Sequence, residues 1–195
     1  ENLNLKIDPI FNQNEHEKYT NDWRGQYIGN AFAVLKPSNT FEVSNILKYA
    51  NTNKIPIVPQ GGNTGLCGGA TPIKNSNSLI VSTEKLNKII SLEKNSNSIT
   101  LESGVILSDI HKKVEELNLF FPLNLGAKGS CMIGGNLSTN AGGINVLKYG
   151  TTRDLCLGLE VVLPNGEILK LLNNLKKDNT GYDLKNLFIG AEGTL

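Results

Sequence analysis

Ile55-Pro56-Ile57-Val58 runs straight into Pro59-Gln60-Gly61-Gly62-Asn63-Thr64-Gly65. The first four residues suit a short buried strand, and the glycines that follow must end it. Upstream, Asn39-Thr40-Phe41-Glu42 has the form of a helix start, a capping Asn with an acid three positions later. Val43, Ile46, Leu47 and Ala50 continue at helical spacing. Before that helix, Ala31-Phe32-Ala33-Val34-Leu35 is a second strand-like apolar run. Strand, helix, strand predicts a parallel pair with a right-handed crossover. The Gly61-Gly62 loop would then lie just beyond the carboxyl end of its strand, where ligands gather in open sheets.

Further along, Leu79–Ser82, Lys88–Leu92 and Ser98–Glu102 read as three more strands, the last two joined by the turn Lys94-Asn95-Ser96-Asn97. Leu107, Ile110, Val114 and Leu117 mark one face of a second helix. Leu157–Leu163, Pro164-Asn165-Gly166 and Glu167–Leu171 form a hairpin pattern. The expected fold class is therefore α+β: a small parallel or mixed sheet with a crossover helix, then an antiparallel part with flanking helices. The expected organisation is an arm over residues 1–28, with one short helix after Pro9, then subdomains over 29–95 and 96–195. Trp23-Arg24 reads as a packing anchor for that arm.

Several functions are excluded by what is missing. The chain has 195 residues, is 39% hydrophobic and carries a net charge of +1, which suits a folded globular domain without the basic stripe of a nucleic-acid binder. Its apolar runs are far too short to span a bilayer, and Glu1-Asn2-Leu3-Asn4 does not read as the opening of a secretory signal. Cys67, Cys131 and Cys156 are odd in number and widely spaced, so no disulfide framework or zinc ribbon is expected, and the setting reads as soluble and cytoplasmic. Cys131 reads as a small buried side chain. The two histidines, His16 and His111, have no partners at metal-ligand spacing, and His111, beside Lys112 and Lys113, reads as solvated. No two glycines are separated by a single residue, and no Gly-Lys dipeptide occurs, so the Gly-x-Gly-x-x-Gly fingerprint and the P-loop are both ruled out. No residue is assigned a catalytic role and no metal is expected.

Two windows contain none of the 18 carboxylates, Val43–Thr83 and Leu117–Arg153. Each is centred on a stretch of Gly, Asn, Ser and Thr, the second being Gly126-Ala127-Lys128-Gly129-Ser130-Cys131-Met132-Ile133-Gly134-Gly135-Asn136-Leu137-Ser138-Thr139-Asn140-Ala141-Gly142-Gly143. Glycine admits a ligand close to the backbone, and free N–H groups form a nest for phosphate, which a nearby carboxylate would repel. Loops for holding without residues for reacting suit a cofactor that carries the chemistry itself. A long molecule with a central diphosphate, held by both loops, is the expectation.

In that order and spacing, the two loops together with Lys148-Tyr149-Gly150 and Gly190-Ala191-Glu192-Gly193-Thr194-Leu195 resemble the PCMH-type FAD-binding domain of the vanillyl-alcohol-oxidase superfamily. The nearest branch is similar to the D-2-hydroxyacid dehydrogenases, which include D-2-hydroxyglutarate and D-lactate dehydrogenases and the glycolate oxidase FAD subunit. The resemblance implies that Pro59, Gln60, Gly61, Gly62, Asn63, Thr64, Gly65 and Leu66 bind the FAD diphosphate, through N–H groups and the side chains of Asn63 and Thr64. It implies that Pro122, Gly126, Gly129, Ser130, Ile133, Gly134, Gly135, Asn136, Thr139, Asn140, Ala141, Gly142 and Gly143 run beside the ribityl chain and flavin. Glu160 and Val161 would approach the adenine. Members with covalent flavin commonly have His near the position of Asn63, so FAD is expected to be non-covalent.

By the same resemblance, the activity is hydride transfer from a D-2-hydroxyacid to FAD, with the small-molecule substrate held by a cap domain beyond Leu195. The chain is thus expected to be a fragment, inactive alone. Alternatives are a flavin transferase like alkyl-dihydroxyacetonephosphate synthase and a non-catalytic flavin-binding subunit of an oxidase complex. A homo-oligomer or a partner subunit is left open.

Overall fold

The computed structural model describes residues 9–11 and 13–195. The first eight residues of the expected arm, and residue 12, lie outside the described residues. The chain divides into two units: one runs up to Leu86 and takes in Val162–Ile168, the other comprises Asn87–Val161 and Leu169–Leu195.

In the first unit the arm carries helix α1 (Gln13–Thr20), followed by strand β1 (Ala33–Leu35), helix α2 (Thr40–Asn53), and strands β2 (Ile57–Gln60) and β3 (Leu79–Ser82). The helix start is where the sequence places it. Asn39 Oδ1 accepts the Glu42 N–H at 2.9 Å, while the Glu42 carboxylate reaches back one residue further than a capping box requires, to the Ser38 N–H at 2.7 Å. The strands are parallel, but β1 and β2 do not pair with each other. Both flank β3, in the order β1-β3-β2, with Val34 and Val58 each opposite Ile80. The reason lies in the side chains: all four residues of β3 are buried, as a central strand covered on both faces requires. Ile80 packs with Tyr19 and Val34 on one face, and Val81 meets Ile46 of α2 on the other.

In the second unit β4 (Ile89–Glu93) and β5 (Ser98–Leu101) form an antiparallel hairpin whose turn residue Asn97 takes φ 49°. Helix α3 (Leu107–Glu115) buries Leu107, Ile110 and Val114, the spacing expected, and these join Val105, Leu123, Cys131 and Ile133 in one core. The short helices α4 (Ile133–Ser138), α5 (Val146–Tyr149), α6 (Thr152–Leu155) and α7 (Lys185–Phe188) were not legible as such. Strands β6 (Leu159–Val162) and β7 (Ile168–Leu171) pair around the Pro164-Asn165-Gly166 turn. The tip of that hairpin belongs to the first unit: Ser44 Oγ donates to the Gly166 carbonyl, and at φ 85° a Cβ on Gly166 would lie 2.7 Å from the Ser44 carbonyl oxygen. No helix among the described residues is long and apolar enough to cross a membrane.

Two single-residue expectations change. His111 is half-buried, its Nε2 2.8 Å from the Leu123 carbonyl and its ring beside Phe121, because α3 turns that position toward residues 121–123 rather than toward solvent. Trp23 is 72% exposed and anchors nothing, whereas Tyr19, 2% exposed, is the packed aromatic of the arm.

Candidate functional site

Strand β2 delivers the first loop. Pro59 and Gln60 are its last two residues, and Gly61 to Leu66 follow as irregular chain. The Gln60 side chain is 2% exposed and donates to the carbonyls of Tyr19 at 2.8 Å and Ala70 at 2.7 Å, so it braces the loop. Asn63 takes φ 50°, and its side-chain amide donates to the carbonyls of Asn21 at 2.8 Å and Lys18 at 3.2 Å. Of the two side chains assigned to the diphosphate, one donor is therefore committed to the arm. The main-chain N–H groups from Gly61 to Gly65 form no hydrogen bond among the described residues. Several such N–H groups in succession, broken by a left-handed residue, have the chemistry of an anion nest.

Freedom from acids in sequence does not carry over to space. A cavity of about 740 Å³ beside Gly62 and Asn63 is lined by Lys18 and Lys36, but also by Glu17 and Asp22 of the arm. Asp22 is already engaged, accepting the Tyr27 N–H at 2.7 Å and the Arg24 N–H at 3.3 Å, which hold its carboxyl below the usual 3.8. Glu84 is caged in turn: burial alone would raise it, yet the Lys36 ammonium at 2.8 Å and the Tyr19 hydroxyl at 3.2 Å hold it below 4.5. Glu84 is thus ion-paired, and Asp22 stays ionised with its oxygens tied to main-chain N–H groups.

The second predicted stretch lies wholly in the second unit. Pro122 offers its carbonyl to Asn145 Nδ2 at 2.9 Å, and Gly126, Gly129 and Ser130 lie on an exposed turn. Ile133, Gly134, Gly135 and Asn136 form the first part of α4, which ends at Ser138 and is followed by Thr139, Asn140 and Ala141. The N–H groups of Ile133 and Gly134 are taken by the carbonyls of Val105 and Ser103, whereas those of Gly126, Gly129, Gly135, Gly142 and Gly143 bond to nothing among the described residues. Asn136 Oδ1 is buried and has no partner, in a residue only 5% exposed. Such an atom is costly unless something fills its need. Beside it Cys131 is 2% exposed, with its thiol pushed up by burial, a packing residue as expected. Glu160 and Val161 sit on β6.

The glycines sort into two kinds, which tests whether the loops suit a bound molecule. A Cβ on Gly134 would meet Ser103 at 2.7 Å, and one on Gly142 would meet Val146 at 3.2 Å, so those two serve internal packing. Gly65, Gly126, Gly129 and Gly135 have nothing within 4 Å of that position and no positive φ, so nothing in the described chain requires glycine there. A guest approaching the backbone does. Within the first unit the free N–H groups fit a diphosphate, and within the second the free N–H groups and the orphaned Asn136 Oδ1 fit a polar guest lying against main chain.

Sequence reasoning missed Arg153. Its Nη1 donates to the Asn186 carbonyl at 2.6 Å and its Nη2 to that of Ile189, while its N–H is taken by Asn140 Oδ1 at 2.9 Å. Gly190 and Glu192 then donate N–H groups to the carbonyls of Leu137 and Ser138 at the end of α4. A signal was available: of 19 Lys and Arg residues only Arg24 and Arg153 are Arg, and both serve main-chain carbonyls.

The family described as "FAD binding domain" matches residues 31–172. The chain belongs to that family, the PCMH-type domain of the vanillyl-alcohol-oxidase superfamily whose motifs it carries, and its cofactor is FAD. Among curated proteins it is 49% identical over 174 residues to a probable mitochondrial D-2-hydroxyglutarate dehydrogenase of Oryza sativa subsp. indica, covering 89% of this chain and 31% of that one. It is 48% identical over 179 residues to the mitochondrial D-2-hydroxyglutarate dehydrogenase of Arabidopsis thaliana, covering 92% and 32%. The chain spans about a third of the length of these relatives. Solved structures of similar fold include alkyldihydroxyacetonephosphate synthase, with TM-score 0.78, 21% identity and coverage of 92% and 32%. Another is 6-hydroxy-D-nicotine oxidase of Arthrobacter nicotinovorans, with TM-score 0.77, 19% identity and coverage of 99% and 40%. At such identities the likeness is one of fold.

The relatives' mitochondrial names overturn the cytoplasmic expectation. Three unpaired cysteines speak of a reducing setting and cannot tell one such compartment from another.

Proposed function

We propose that this chain is the flavin-holding part of a D-2-hydroxyacid dehydrogenase, acting on D-2-hydroxyglutarate or a close analogue, with FAD bound non-covalently. The carrying observation is the set of unpartnered N–H groups on glycines whose Cβ positions face open space, at Gly65, Gly126, Gly129 and Gly135. The relatives' names supply the substrate class. FAD, when bound, supplies the hydride acceptor through which a 2-hydroxyacid becomes a 2-oxoacid.

In this reading Gly61 to Gly65 direct their N–H groups at the diphosphate, with the Thr64 hydroxyl as a further donor. Gly126, Gly129 and Gly135 let the rest of the cofactor lie against main chain, and the unpartnered Asn136 Oδ1 accepts from it. Pairing Glu84 with Lys36 keeps that charge from opposing the phosphates. No side chain of the described residues is given a proton to move. Substrate recognition falls to parts of the protein outside this chain.

The test is anaerobic addition of D-2-hydroxyglutarate, D-lactate and their L-enantiomers to the intact flavoprotein while following oxidised-flavin absorbance. Bleaching by a D-2-hydroxyacid alone is expected, and absence of bleaching with every acid would reject the activity. Independently, FAD at 100 times its Kd is expected to add about 2.7 kcal/mol of stability, read as a rise in Tm.

A further inference from the structure

We propose that the arm segment Lys18–Asn30 is a clamp that sets the Gly61–Gly69 loop in its ligand-receiving shape before FAD arrives, with Arg24 as its positioning residue. The proposal deepens the reading of that loop as the diphosphate site and rests on it.

The loop has almost no bonds of its own. Between Gly61 and Cys67 no main-chain N–H finds a partner among the described residues, so its shape must be imposed from outside. The arm imposes it at four successive points. Gln60 is held through the Tyr19 carbonyl, and Asn63 through the carbonyls of Lys18 and Asn21. Arg24 Nη2 donates to the Leu66 carbonyl at 2.7 Å across an exposed span. Gly68, at φ 73°, lies so close to Tyr27 that a Cβ there would be 2.7 Å from the ring.

The arm can act as a clamp because Asp22 makes it rigid. Its main-chain N–H donates to the Tyr27 carbonyl at 2.9 Å, its carbonyl accepts the Gly25 N–H at 3.0 Å, and its carboxylate gathers the N–H groups of Arg24 and Tyr27. Arg24 is therefore presented from a tight turn, and the loop's N–H groups stay free for a guest while the Leu66 carbonyl and the Asn63 amide are held. Composition agrees: a chain that otherwise uses Lys spends one of its two Arg here, where a forked, less strongly hydrated donor suits a carbonyl better than an ammonium does. A pre-set site binds more tightly because less ordering remains to be done on binding.

The experiment measures, in the intact protein, backbone NMR order parameters of residues 61–68 without flavin and FAD affinity by quenching of flavin fluorescence. Arg24 is exposed, so Arg24→Ala is expected to fold. It should lower the order parameters across the loop and weaken FAD binding by about three- to fivefold, the size expected for loss of an exposed hydrogen bond. Arg24→Lys should restore part of both, which a merely structural role would not require. Unchanged order parameters in Arg24→Ala overturn the clamp. Lower order with unchanged FAD affinity overturns its link to binding. Wild-type protein that binds no FAD rejects the diphosphate reading itself, while the order parameters still decide whether the arm holds the loop.

Discussion

The two glycine-rich regions meet the same requirement by opposite means. The loop after β2 is bare chain held from outside by the arm, through Asn63, Arg24 and the Gly68–Tyr27 contact. The stretch from Gly126 to Gly143 contains its own helix, α4, whose first N–H groups and last carbonyls bond to Ser103, Val105, Gly190 and Glu192 of the same unit. In the first, N–H groups are free because nothing is folded around them. In the second, only particular N–H groups escape an otherwise bonded structure. Loosening the first should therefore be local, whereas loosening the second should disturb a core.

The largest effect is expected where the second region is tied down. Arg153→Ala removes two charged-donor bonds to the carbonyls of Asn186 and Ile189, while its main-chain N–H still reaches Asn140 Oδ1. Denaturant unfolding should show a loss of about 3 kcal/mol, the combined scale of such bonds. Arg24→Ala should cost less than about 1 kcal/mol, its partner being exposed. Equal losses would erase the contrast between the loops.

Neighbouring glycines sharpen it further. Gly134→Ala forces a methyl to within 2.7 Å of Ser103 Cβ and 2.9 Å of its carbonyl oxygen, and should destabilise by about 2 kcal/mol. Gly135→Ala meets nothing and sits inside α4, so the flavin-free protein should gain about 0.5–1 kcal/mol. FAD affinity should nevertheless fall in Gly135→Ala. A gain in stability with undiminished affinity would show that the open face of Gly135 receives no ligand.

Much of this was readable from residues alone. Asn39 and Glu42 announced α2, the 107-110-114 spacing announced α3, and the run into Gly61 placed a loop at a strand's carboxyl end. Strand order was not readable, because any parallel partner satisfies the local pattern; what places β3 centrally is burial on both faces. The helix α4 was hidden by its composition: Gly134, Gly135, Asn136 and Ser138 are poor helix formers, and tertiary bonds from Ser103 and Val105 hold its first turn. That the Asn63 amide braces its loop was not readable, since sequence reports which donors exist but not where they are spent. The arm's part was invisible for the same reason, its bonds running some 40 positions along the chain.

The smallest effect concerns acid, and it separates the loops most finely. Asp22 in the first unit and Asp154 in the second are both held below 3.8, Asp22 chiefly by the Tyr27 N–H and Asp154 chiefly by the Thr151 N–H. A carboxyl lowered in the folded chain stabilises above its ordinary value, and that stabilisation is lost as pH falls through the lower, folded value. Protonating Asp22 undoes the turn that presents Arg24, and the Gly61–Gly65 loop has no bonds in reserve. Protonating Asp154 weakens the cap of α6, but the Gly126–Gly143 stretch keeps its anchors to Ser103, Val105 and Arg153. On acidification below pH 3.8, backbone order parameters should therefore fall at residues 61–68 before they fall at 126–143. Trp23, the sole tryptophan and next in sequence to Asp22, should report the same step by fluorescence, and Asp22→Asn should abolish it. Simultaneous loosening of both stretches would mean that acid unfolds the chain as a whole and that the arm gives the first loop no separate control.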